Sequence, residues 1–330
     1  MLHSFIKYLL KNQILFALFL IAFCWFIFQI KDIIVSIFLS YIIMAAVLPM
    51  VEYLRSKRVP KIFAVLIPYL GITIAIFLLI LPLVPFVFDQ ISSLVSQFPK
   101  LLDQSAKTFH VTIDPKDVQS HINNQIDTIG QNALDFTTKF FGGVFSIITI
   151  FVVSFYLLMY SDAFKKFMAS LFHSNKREFV HSALNRVNDK LGAWLRGQIL
   201  LMIFIGLFSW IGLTLLGVPY ALPLALLAGL LEIVPTVGPI ISAIPAAIVA
   251  LTISPTMAVA VVVLYLLIQM LENQLLVPKI MEKAVGLNPV VVILGVMIGA
   301  NLMGIAGALL AIPFISFIIV IFNSFKTMDE

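Results

Sequence analysis

The chain has 330 residues, of which 61% are hydrophobic and 11% charged, with a formal net charge of +5. Soluble domains run roughly 45–50% apolar and about 25% charged. This apolar excess cannot be buried in a water-soluble core, which excludes most soluble enzyme folds and predicts an all-α polytopic membrane protein. The positive surplus reads as an orientation signal and not as a nucleic-acid footprint. The single cysteine, Cys24, excludes a disulfide framework within the chain.

A membrane-spanning helix needs about 20 apolar residues. The first candidate is Ile14 to Ile30, preceded by Lys7 and Lys11. No small-residue cleavage site follows it, so it is expected to stay as a span and not to be removed as a signal peptide. Lys31-Asp32 forms a short turn into a second span, Ile33 to Val51. The third, Ile62 to Phe88, carries Pro68, Pro82 and Pro85 and should be kinked or tilted. Residues 89–139 are polar, with Ile122, Ile126, Ile129 and Ala133 at helical spacing, and read as a helical loop. The fourth span is Phe140 to Tyr160. Residues 162–197 follow as amphipathic helices lying on the membrane surface, and Ile199 to Leu216 is the fifth span.

Loop charges set the orientation. The N-terminus has two Lys and no acid, the 52–61 loop four Lys/Arg and one acid, and the 162–196 stretch seven against three; the 89–139 loop has four against six. Alternation then places the N-terminus, 52–61 and 162–196 in the cytoplasm and 89–139 outside.

The C-terminal third departs from simple spans. Leu222 to Leu251 is interrupted by Pro235-Thr236-Val237-Gly238-Pro239, and neither half is long enough to cross alone. Met257 to Val277 is an ordinary span. Val290 to Phe322 is interrupted near Gly299, Asn301, Gly304 and Gly307. Paired interruptions of this kind point to a transport site, because broken helices expose backbone dipoles at membrane depth. The glycines of this last segment suit an intramolecular hairpin and an oligomer interface equally. The expected architecture is about six full spans plus two broken or re-entrant hairpins. Its divisions are 1–88 (three spans), 89–139 (external helical loop), 140–160 (fourth span), 161–197 (cytoplasmic amphipathic helices) and 198–330 (transport core).

Soluble catalytic signatures are missing: the five histidines stand in no metal-ligand spacing, and neither a Walker A sequence nor a GxSxG elbow occurs. No enzyme activity, metal or cofactor is expected. The informative residues are ionisable groups inside apolar runs, which are costly to insert and face a cavity or a partner. Glu232 precedes the break at Pro235, Gly238 and Pro239 and reads either as a cation or proton site or as a capping and pairing group. Tyr265, Gln269 and Glu272 share a helix face, with Asn273 following, and read either as a polar path or as a helix–helix hydrogen-bond seam. Asn301, beside the second break, reads as a path residue or a helix cap. Burial disfavours the ionised form of a carboxyl, which is how such a residue carries protons.

Two stretches carry a family resemblance. Residues 197–251 and 264–313 hold Gly217-Val218-Pro219-Tyr220, the Ile233–Pro239 stretch with its Pro-x-x-Gly-Pro, the Gln269–Pro278 stretch with Glu272 and Asn273, and Val285-Gly286-Leu287-Asn288-Pro289. In these the sequence resembles the autoinducer-2 exporter family of bacterial membrane transporters. The resemblance implies export of a small polar molecule such as the autoinducer-2 quorum-sensing signal. It also implies, as the alternative, sodium or lithium/proton antiport, with coupling to protons or sodium. It further implies a multi-pass protein of the bacterial inner membrane and a homo-oligomer, with a pentamer as the expected size. Glu232 departs from the neutral polar residue many members carry, which favours an ion or proton role here. The competing reading of another class is a non-transporting membrane scaffold. The expected partners are therefore the lipid bilayer, a small-molecule or cation substrate and copies of the chain itself, with no nucleic acid.

Overall fold

The computed structural model describes residues 13–79, 133–234, 237–281 and 288–326. The external loop expected at 89–139 lies almost wholly outside them, as do Pro82 and Pro85. Among the described residues every regular element is a helix, as the bilayer demands: with no water to satisfy exposed N–H and C=O groups, the chain must bond them internally.

Helix α1 (Gln13–Gln29) is followed by α2 (Lys31–Ser56) and α3 (Lys61–Leu79). Helix α4 (Ala133–Met159) ends at Tyr160, where the chain bends by 74° into the short α5 (Ser161–Ser170). One 3-10 turn, Ser174–Lys176, leads into α6 (Arg177–Leu215). Its 39 residues are one unbroken helix about 58 Å long, roughly twice the hydrocarbon thickness. The division expected at 197/198 therefore falls inside a continuous helix. Within the 162–197 stretch α5 is a separate short helix bent 74° from α4, whereas from Arg177 the chain is continuous with the fifth span.

Helices α7 (Ala221–Leu231) and α8 (Val237–Leu251) pack against each other on either side of the break that opens at Glu232. Gly229 and Gly206 let α7 lie directly on α6, since a Cβ on Gly229 would come within 2.8 Å of the Met202 carbonyl. Helix α9 (Pro255–Leu271) starts at Ser254, whose hydroxyl accepts from the Met257 N–H, with Pro255 at the first turn. It continues through a π-turn at Glu272–Leu276 into α10 (Val277–Met281).

The last segment, α11 (Pro289–Lys326), is continuous by length and hydropathy but not by path. Met303 (φ −140°, ψ 17°) and Gly304 (φ 61°, ψ −141°) leave helical geometry. A Cβ on Gly295 would lie 3.8 Å from the Ala311 Cβ, two positions that a straight helix would hold about 24 Å apart. The segment is therefore a helical hairpin with its tip at 303–304, closed by backbone contact between Gly299 and Gly307. This is the fold-back reading of the broken segment, and the glycines serve the intramolecular hairpin.

The two hairpins open toward opposite ends of the bundle. The first leaves the Leu215 end of α6, and its break meets Gln198 near the middle of that helix. The second places Ser324 beside Arg186 at the basic end (Arg186 Nη2 to Ser324 Oγ, 3.1 Å). Its tip borders a half-open cavity of about 440 Å³ with Lys31, Asp32 and Ser36 at the far end.

Two apolar clusters hold the bundle. Trp194, Leu191, Ile205, Leu224 and Val261 centre the larger, joining α2 and α6 to α9. Val47, Ala64, Tyr69 and Leu158 join α2, α3 and α4, where the Tyr69 and Ser154 hydroxyls form a buried hydrogen bond. Pro49 inside α2 has no N–H to give the Ala45 carbonyl. Arg196 reaches across from α6 and donates to Ala45 O (3.4 Å) and Ala46 O (3.2 Å), satisfying that break.

Candidate functional site

Two interruptions of helical order meet in the bundle interior. One is the end of α7, where Glu232 is the last residue in helical conformation; the other is the π-turn that opens with Glu272. π-turns insert a residue into a helix and re-aim its side chains, and they concentrate at functional positions. Here both acids become fully buried, at 0% exposure, and their carboxyl groups face one another.

Polar neighbours complete the cluster. Gln198, also at 0% exposure, donates through Nε2 to the Glu232 backbone carbonyl at 2.6 Å. That carbonyl is one of those a helix end leaves without a partner, so Gln198 caps α7 from the neighbouring helix. Gln269 Nε2 donates to Glu272 Oε2 at 3.0 Å. Tyr265 lies about one turn from Gln269 on α9 and Ser209 about three turns beyond Gln198 on α6, both buried. The Tyr265 hydroxyl approaches those of Ser209 and Ser242 without completing a hydrogen bond to either.

The charge balance is one-sided. Both Glu232 oxygens, Glu272 Oε1, Gln198 Oε1 and Gln269 Oε1 lack a hydrogen-bond partner, and among the described residues no Lys, Arg or His pairs with either acid. Two facing carboxylates in a low-dielectric interior cannot both hold their charge unpaired; a proton or a cation has to come between them. The free atoms are all oxygens and all acceptors, a donor set suited to hard cations and unsuited to soft metals. No group of three or more His, Cys, Asp or Glu capable of holding a metal occurs among the described residues.

Of the residues singled out from sequence, Glu232, Tyr265, Gln269 and Glu272 are brought together. Gly238 is buried against the Leu231 carbonyl at the hairpin break, where a side chain would not fit, and the Pro239 carbonyl accepts from the Ser242 hydroxyl at 3.1 Å. Pro235 lies outside the described residues. Asn273 is exposed on the bundle surface, and Asn301 is exposed on the second hairpin; neither joins the cluster. Gln198, Ser209 and Ser242 were not singled out. Gln198 stands where a polar stretch gives way to a span and resembles an interface residue, and single serines in apolar runs carry no pattern.

A family model described as "AI-2E family transporter" matches residues 14–327. The chain belongs to this family. AI-2E relatives include YrrI of Bacillus subtilis, named as a transport protein, 27% identical over 85% of this chain and 82% of its own length. YueF of the same organism, also named as a transport protein, is 25% identical over 91% and 88%. PerM of Escherichia coli K12, named as a permease, is 42% identical over 129 residues, 38% of this chain and 36% of its own. The protein is thus a multi-pass bacterial membrane transporter of the AI-2E family.

Proposed function

We propose that this transporter is a non-enzymatic antiporter exchanging protons for a monovalent cation at the Glu232–Glu272 pair. The observation that carries the reading is the buried, acceptor-only carboxyl pair with no cationic partner among the described residues. A site of this kind takes a proton or a hard cation in turn, and competition between the two couples their movement. The charge asymmetry of the loops supports insertion in the bacterial inner membrane with the N-terminus in the cytoplasm. The resemblance to the family supports a homo-oligomer, with a pentamer as the expected size.

The test is flux in proteoliposomes carrying a pH gradient. Sodium or lithium added outside is expected to dissipate the gradient with wild-type protein. Glu232→Gln and Glu272→Gln are expected to abolish this while keeping oligomer size, because Gln preserves shape and cannot ionise. No cation-driven proton movement in the wild type, or undiminished movement in both variants, would overturn the reading.

A second reading is export of a small polar solute such as the autoinducer-2 signal, favoured by the match to the AI-2E model over residues 14–327. Efflux of that signal from loaded vesicles with no cation-driven proton movement would select it. A scaffold would show neither flux.

A further inference from the structure

The buried polar cluster divides into two chemically different zones. Around Glu232 and Glu272 the unpartnered atoms are acceptors: carboxyl oxygens and the amide oxygens of Gln198 and Gln269. Further along α9 and α6 they are hydroxyls, Tyr265 and Ser209, with Ser242 beside them. A hydroxyl accepts and donates at once, whereas a cation needs acceptors alone. The first zone suits a cation. The second suits a proton in transit.

We propose that the hydroxyls of Tyr265, Ser209 and Ser242, bridged by water, relay protons between the carboxyl pair and the Leu215 end of the bundle. This rests on the antiport reading and gives the proton a route separate from the cation's. Tyr265 lies two helical turns from Glu272 on one face, about 10 Å away along the axis, with Gln269 between them. Tyr265 and Ser209 are buried with no hydrogen-bond partner among the described residues, and leaving a buried hydroxyl unsatisfied is costly. Bound water is the usual remedy for such groups. Ser242 donates to the Pro239 carbonyl at 3.1 Å, and its one O–H must turn from that carbonyl toward the next acceptor when Ser242 takes a proton on a lone pair and passes its own on.

Among the described residues, the titratable groups facing this column from the packed helices are Glu232, Glu272 and Tyr265, while α6 presents the uncharged Gln198 and Ser209 and α8 presents Ser242. In the step itself, the O–H bond of a protonated Glu272 breaks as a bridging water takes the proton. Each water or hydroxyl then releases one proton as it gains one. A bond forms finally to solvent water at the Leu215 end, the relay groups return to their starting protonation, and the carboxylate left behind takes the cation. Leu213 and Val261, buried one turn beyond Ser209 and Tyr265, close the column in this conformation and must part for release.

The experiment compares wild type, Tyr265→Phe, Ser209→Ala and Ser242→Ala in proteoliposomes. It reads the rate of sodium-driven proton movement, and, separately, sodium affinity from thermal shift against sodium concentration. Phe keeps the ring and removes only the hydroxyl, so folding is expected to survive. The expected result is a proton rate at least tenfold lower in Tyr265→Phe, a smaller loss in the serine variants, and sodium affinity within about twofold of wild type. Wild-type proton rates in Tyr265→Phe would overturn the relay and leave the antiport reading standing. If that variant fails to fold, wild-type rates in both serine variants overturn it equally. Equal loss of rate and sodium affinity would assign Tyr265 to the cation site and also overturn the relay. No sodium-driven proton movement in the wild type would overturn both readings together.

Discussion

Replacing Gly307 with alanine tests the second hairpin most directly. A Cβ at this position would overlap the Gly299 carbonyl oxygen and carbon of the opposite arm. Those atoms are backbone and cannot rotate aside, so the arms must separate. Overpacking of this kind costs about 1–3 kcal/mol. The neighbouring Gly304 separates steric from conformational effects: nothing lies within 4 Å of its would-be Cβ, but its φ of 61° with ψ −141° is a region essentially reserved for glycine. Gly143 on α4 is the control, with nothing within 4 Å and ordinary helical geometry. Alanine there should be neutral or stabilise by about 0.5–1 kcal/mol through helix propensity. Thermal unfolding in mild detergent should therefore fall by several degrees for Gly307→Ala and Gly304→Ala and not for Gly143→Ala. Gly307→Ala melting with Gly143→Ala would mean that the two arms do not touch, and a single kinked span would replace the hairpin.

Arg196→Gln should lower thermal stability by roughly 1 kcal/mol, because the carbonyl freed by Pro49 loses its donor, with the exposed guanidinium discounted for solvent. In a Pro49→Ala background, where the helical N–H is restored, the same substitution should cost measurably less, a coupling read by a double-mutant cycle. In a Cys24→Ser background, cysteines at Ser56 and Ser174 should react with impermeant reagent from the cytoplasmic face and one at Ile253 from the other; labelling of all three from one side would discard the charge-based orientation.

Hydropathy made the spans legible because a bilayer imposes one simple rule on length and polarity. The break at 235–239 was equally legible, since Pro and Gly there have no other use in an apolar run. Which broken segment folds back was not, because that depends on Gly299 meeting Gly307 through space, and G-x-x-x-G spacing serves contact within a chain and between chains alike. Glu232 and Glu272 were each visible as costly acids. Their meeting was not, because it depends on how closely Gly206 and Gly229 let α7 lie on α6. Asn301 shows the converse failure: polarity beside a break drew attention to a side chain that packs against nothing in the cluster.

The way the acids are held explains why helical order breaks beside both of them. A carboxyl on an intact buried helix is surrounded by its own helix's satisfied backbone and by apolar neighbours, and its charge finds nothing to work with. Ending α7 at Glu232 frees backbone carbonyls, which must then be satisfied from elsewhere. Gln198 supplies that donor, and in doing so ties the tip of the first hairpin to the middle of α6 at 2.6 Å. On the other side the π-turn after Leu271 shifts the helix register, and Gln269 fixes one oxygen of Glu272 while the other stays free. Each acid is thus anchored by a glutamine, Glu232 through its backbone carbonyl and Glu272 through one carboxyl oxygen, and the remaining carboxyl oxygens have only each other. The glutamines use N–H groups for positioning, and their amide oxygens are left buried without a partner, so the same two residues that order the site also bring acceptors into the cluster. Glutamate in place of either glutamine would remove the donor and add a charge. Leucine would remove both the anchor and the acceptor. The amide alone among these side chains orders the broken helices and leaves the site hungry for a cation.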